Sequence, residues 1–115
     1  LSVQELYESG FELRCAGEYG RARELFSQVL EQEPQHVNAR WQLALIDGFE
    51  GEFEQSLEGL KALAQEAPNN LDLRYDFAMT LMMLGFMEES CAEFRAILEI
   101  DPNYDKAKQQ IIYCD

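Results

Sequence analysis

Basic residues are scarce in this chain. Nine Lys and Arg stand against 22 Asp and Glu, a formal net charge of −13. A nucleic-acid binder needs clustered cations that displace counterions from phosphates. Here Arg14, Arg21, Arg23, Arg40, Lys61, Arg74, Arg95, Lys106 and Lys108 are scattered among more numerous acids. Nucleic acid is therefore not an expected partner, and an anionic membrane surface would be repelled for the same reason. No apolar run approaches the ~20 residues of a membrane-spanning helix. Histidine is limited to His36, which cannot build a metal cluster alone. Cysteine is limited to Cys15, Cys91 and Cys114. An odd number at wide spacing, with no CxxC pair, argues against a disulfide framework and against a zinc site. Buried free thiols are expected instead, together with indifference to reductant and a cytoplasmic, reducing location.

Catalytic signatures are also missing. There is no GxSxG, P-loop, GxGxxG or HExxH pattern, so neither an enzyme nor a cofactor site is expected. Cys15 and His36 would form a nucleophile–base pair only if folding brought them together. The chain opens at Leu1 with no basic stretch followed by an apolar one, so no signal peptide is expected. The missing Met points to a segment excised from a longer protein.

What the chain does have is a length of 115 residues, the size of one domain, and 47% hydrophobic residues, enough for a packed core. It also has a period. The only prolines are Pro34, Pro68 and Pro102, spaced by 34 residues, and Gly17, Gly51 and Gly85 keep the same spacing. So do Tyr19, Phe53 and Met87; Ala22, Ser56 and Ser90; and Phe26, Leu60 and Phe94. A period of this length means stacked supersecondary units. Apolar residues recur at helical spacing on either side of each glycine, so each unit reads helix, glycine turn, helix, proline stop. The pattern predicts helices over 3–16, 19–32, 37–49, 53–66, 71–84 and 87–100. A seventh, over about 105–114, repeats the first helix of a unit and would cover the flank of the third.

The chain resembles the tetratricopeptide repeat (TPR) family in its bacterial form. Leu43 and Phe77 fill that family's Leu column, and Gly10, Ala44 and Ala78 its small-residue column. Its Trp column instead holds Leu6, Arg40 and Arg74, with aromatics one residue later at Trp41 and Tyr75. The resemblance implies an all-α, right-handed helical solenoid forming one domain over 1–115. Its repeats would span about 3–36, 37–70 and 71–104, with a capping helix over about 105–114. Asp47 falls in a column that usually holds a large apolar residue. A carboxylate there needs a partner, and Arg74 is the expected one.

In this family the first helices of successive repeats line a concave groove. The matching stripe is Tyr7, Phe11, Arg14 and Cys15 in the first repeat, then Trp41, Leu45, Gly48 and Phe49. Tyr75, Met79, Met82 and Met83 follow, and the fourth first-helix adds Gln109 and Tyr113. The stripe is aromatic and Met-rich, a composition suited to adaptable apolar contacts. Members that hold the C-terminal carboxylate of heat-shock chaperones use Lys and Asn where this chain has Tyr7 and Phe11. The implied function is a protein–protein interaction scaffold taking an apolar or amphipathic segment of a partner, with Trp41 central to the groove. The alternatives are a self-associating assembly module and a chaperone of secreted apolar proteins.

Overall fold

The computed structural model describes residues 1–114. It consists of helices and turns: α1 Val3–Cys15, α2 Tyr19–Gln32, α3 Val37–Phe49, α4 Phe53–Glu66, α5 Leu71–Met83, α6 Met87–Ile100 and α7 Asp105–Ile111. Among the described residues there is no strand. Six helices match the periodic pattern to within one residue. The seventh is shorter than expected. It ends at Ile111, where the chain tightens into turn bonds from Tyr113 N to Gln110 O and from Cys114 N to Ile111 O.

The period is a set of local hydrogen-bonding devices. Ser2 caps α1 with a reciprocal box: its Oγ accepts from the Glu5 N–H, and Glu5 accepts from the Ser2 N–H, both at 3.1 Å. The Ser2 backbone N–H is the main reason the Glu5 carboxyl lies below its ordinary range. One period on, His36 Nδ1 accepts from the Ala39 N–H, and two periods on Asn70 Oδ1 accepts from the Leu73 N–H. At the other end of each first helix, Gly17, Gly51 and Gly85 take φ of +80°, +86° and +90°. Their N–H groups bond back to Arg14, Gly48 and Met82, while the next residue reaches Leu13, Asp47 and Leu81. This satisfies helix-end carbonyls and requires a left-handed residue, which glycine adopts at little cost. The prolines follow each second helix because the ring cannot continue one.

The chain divides into two compact units, Leu1–Gly59 and Leu60–Asp115. In the first, Leu6, Ala22, Phe26, Val29, Ala39 and Ile46 form the buried core of α1, α2 and α3. Gly10 lies against Phe26 so closely that a Cβ there would sit 2.9 Å from the ring. In the second, Ala78, Phe94, Ile97 and Ala107 form the core of α5, α6 and α7. Ser90 Oγ donates to the Ala78 carbonyl at 2.8 Å, which permits a fully buried hydroxyl.

One sequence expectation fails here. Cys91 and Cys114 are not free thiols; they form a disulfide from α6 to the turn after α7. The odd count misled because one cysteine, Cys15, is left over, exposed at the end of α1. The wide spacing misled because α6 and α7 are antiparallel neighbours, so a separation of 23 positions in sequence collapses to 5.9 Å between Cα atoms. Indifference to reductant is no longer expected, and the argument for a reducing compartment loses two of its three thiols.

Candidate functional site

In the first unit, the sequence-predicted stripe begins on α1. Tyr7 packs beneath the surface against Phe26, with ring centroids 5.6 Å apart, and against His36 at 5.5 Å. Burial raises the Tyr7 phenol pKa, opposed by a hydrogen bond with Gln42. One turn on, Phe11 faces outward at 38% exposure, 6.3 Å from the Tyr7 ring. Arg14 follows at i+3. Its guanidinium lies 5.0 Å from the Phe11 ring centre and 5.7 Å from that of Phe49, which is 53% exposed at the end of α3. Tyr19 of α2 stacks on Phe49 at 5.6 Å.

The result is an aromatic surface threaded by one cation. Among the described residues Arg14 meets no carboxylate. Its Nη2 contacts Cys15 Sγ at 3.8 Å, and its buried Nε lacks an acceptor. Gln42 Oε1, beside Tyr7, is likewise buried without a donor. Trp41 and Leu45 of α3 are half-buried, so Phe11 and Phe49, rather than Trp41, are the most open rings of this unit's stripe.

Asp47 is paired, but not with Arg74. Arg23 of α2 donates to Asp47 at 2.6 Å and to Glu50 at 2.7–3.0 Å, which raises the Arg23 pKa, with the Asp47 hydrogen bond the largest cause. Arg74 instead binds Glu93 of α6 and the Pro68 carbonyl. The sequence argument looked for the partner on a first helix. The second helix of the preceding repeat offers a cation at the right level, which helix order alone did not reveal.

In the second unit, Tyr75, Met79 and Met82 are partly buried against the α5–α7 core. Tyr75 lies 6.0 Å from Phe94 and 6.1 Å from Tyr104, with the Lys106 ammonium over its face. Met83 and Tyr113 are open, at 62% and 67% exposure. A separate cavity of about 380 Å³ has Phe77 and Leu81 in its lining and Lys61, Arg74, Glu89 and Glu93 as its charged groups. Sequence reasoning did not single it out. Among the described residues, no group of three His, Cys, Asp or Glu is placed to hold a metal ion. Among the same residues, no helix is long and apolar enough to cross a membrane.

No protein-family model matches the sequence, and no curated protein is significantly similar to it. Solved structures do match. MamA from Desulfovibrio magneticus RS-1 is 23% identical with a TM-score of 0.80, over 96% of this chain and 62% of that one. A tetratricopeptide repeat protein from Parabacteroides merdae is 18% identical with a TM-score of 0.80, over 91% of this chain and 42% of that one. The first TPR of Spaghetti, bound to the HSP90 peptide SRMEEVD, is 15% identical with a TM-score of 0.83, over 96% of this chain and 88% of that one. The chain thus spans less than two thirds of the length of the MamA chain it matches. At these identities the likeness speaks for architecture alone. The all-α helix–turn–helix units, the 34-residue period and the three structural matches together give this chain the tetratricopeptide-repeat fold.

Proposed function

We propose that the chain is a non-catalytic protein-binding module that takes an apolar or amphipathic segment of a partner on its first-helix faces. The observation that carries this reading is the Phe11–Arg14–Phe49 surface. Two large rings stay open to solvent although the fold has a core to bury them in, and a guanidinium packs on both. Clustered exposed aromatic surface marks interaction sites, and aromatic and Arg side chains dominate binding hot spots. The peptide held by the TPR of Spaghetti supports the class of ligand. The present stripe differs in character, with Tyr7 and Phe11 where a carboxylate-holding groove would place polar and cationic groups.

The test is capture from the native host by the intact chain and by two variants. Phe11→Glu with Phe49→Glu should abolish capture of any specific partner while helicity is kept. Glu54→Lys, at an exposed position of α4, should leave it unchanged. Capture insensitive to the aromatic changes would move the binding face elsewhere. Light scattering over a range of concentrations separates a heterologous partner from a second copy: mass rising with concentration, and lost in the Phe11/Phe49 variant, would favour the assembly-module reading.

A further inference from the structure

Helix α7 is too short to hold its own shape. It has seven residues, about two turns, whereas isolated helices below ~12–15 residues are marginal in water. Of its residues only Ala107 is fully buried, seated on Ala78, Phe94 and Ile97. Its start is tied by the Tyr104 hydroxyl, which donates to the Asp72 carboxylate on α5. Its far end runs into Ile112 and Tyr113, both exposed, and is tied by the bond from Cys114 to Cys91. That bond is approachable. An open cavity of about 250 Å³ lies against it, lined by both cysteines with Met87, Glu88, Arg95 and Tyr113. Cys91 is only 7% exposed, whereas Cys114 is half-buried, so Cys114 Sγ is the sulfur a small thiol reaches.

We infer that the Cys91–Cys114 disulfide is a redox lock on α7: oxidised, it holds α7 over the apolar flank of α5 and α6, and reduced, it lets α7 leave and uncovers that flank. The opening agent is a dithiol. One of its thiolates attacks Cys114 Sγ, the protein S–S bond breaks, and Cys91 departs as a thiolate that takes a proton from water. The second thiol closes on the mixed disulfide and releases the Cys114 thiol. Two electrons and two protons pass to the protein, and the dithiol becomes a cyclic disulfide. A low-molecular-weight disulfide reverses the exchange and relocks the helix. In a reducing compartment the lock would stand open, and in an oxidising one it would stand shut.

The experiment uses the whole chain, with exposed Cys15 alkylated by iodoacetamide before anything else. Amide hydrogen exchange is followed with and without dithiothreitol, and a fluorescent synthetic peptide of residues 102–113 serves as a probe for the uncovered flank. On reduction, α7 amides should exchange at least tenfold faster while α5 and α6 amides are unchanged, and only the reduced chain should bind the peptide. The Cys91→Ser/Cys114→Ser double variant should behave as the reduced chain does and ignore dithiothreitol. Three results would overturn the lock. The first is α7 protection that survives reduction. The second is protection lost from α5 and α6 together with α7, in either the reduced chain or the double variant, which would make the bond a staple of the whole unit. The third is alkylation of all three cysteines in the air-oxidised chain.

Discussion

The two units solve one problem with different chemistry. Each must fasten the first helix of the following repeat to the helical hairpin before it. Two periods separate Tyr7 from Tyr75, Phe26 from Phe94 and His36 from Tyr104, and the Tyr–Phe contact within each ring triad has nearly the same geometry. Tyr7 meets Phe26 at 5.6 Å and 53°, and Tyr75 meets Phe94 at 6.0 Å and 52°. The same two periods take Arg23 to Cys91. In the first unit that position throws an ion pair from α2 to α3, and in the second it throws a disulfide from α6 to the end of α7. The difference follows helix length. Helix α3 has 13 residues and buries Ala39, Gln42, Ala44 and Ile46, so it needs little help. Helix α7 has seven residues and one buried anchor, so a covalent tie stands where packing is thin.

The comparison can be broken most forcefully at its shared centre. Phe26 and Phe94 are both fully buried. Phe26→Ala and Phe94→Ala should each cost about 3–5 kcal/mol in denaturant unfolding. Matched losses would support equivalent cores. A much smaller loss for Phe94 would mean that the disulfide, not packing, holds the second unit.

The ion pair comes next. Arg23 and Asp47 remain partly open to solvent, with side-chain exposures of 35% and 19%, so screening limits their strength. A double-mutant cycle with Arg23→Ala and Asp47→Ala should give a coupling of about 1 kcal/mol, reduced by salt. Additive losses would remove the ion pair from the comparison. Arg74→Ala should not couple to Asp47, since its guanidinium is committed to Glu93.

Position 36 in the first unit and 104 in the second separate the two by pH. The Tyr104 pKa is raised well above its ordinary value, chiefly by burial and then by its hydrogen bond to Asp72. A raised folded-state pKa means the stabilisation is fully present below about pH 10, where an unfolded-chain tyrosine titrates. Above that the unfolded chain loses its proton first, and the second unit weakens as pH climbs toward the folded value. Tyrosinate absorbance should show a late phase from Tyr104 beside that of the burial-raised Tyr7, and Tyr104→Phe should remove the Tyr104 part and reduce the alkaline loss. The first unit carries His36 at this position, so its alkaline loss comes from the burial-raised Tyr7 and should survive Tyr104→Phe.

Much of this was legible in the sequence because it is local. Gly17, Gly51 and Gly85, the prolines and the caps act over four or five residues, so their spacing gave the helix boundaries directly. The aromatic stripe was legible as composition. The openness of each side chain was not: Trp41 is half-buried, and Tyr75 and Met82 pack against a core shared by α5, α6 and α7. The Asp47 partner and the Cys91–Cys114 bond were missed for a related reason. Both join a second helix to the first helix of the following repeat, and the sequence pattern fixed which helices exist more firmly than which side chains meet across them.

The smallest effect lies at the small-residue column, where the first unit has Gly10 and the second Ala78. Alanine is normally worth about 1 kcal/mol over glycine inside a helix. At Gly10 the added methyl would stand 2.9 Å from Phe26 Cε1 and 3.1 Å from Cδ1, on a ring with no exposed surface to retreat into. Overpacking of this kind costs about 1–3 kcal/mol, so it offsets the propensity gain and slightly more. Gly10→Ala should therefore lower stability, by about 1 kcal/mol or less. Ala78→Gly meets no such compensation: its helix already accommodates a methyl within the same cluster as Phe94, and the change should cost about 1 kcal/mol of propensity. Both substitutions then destabilise, for opposite reasons. A stabilised Gly10→Ala protein would show that Phe26 can shift, and that the tight α1–α2 approach is a preference of packing rather than a requirement of the repeat.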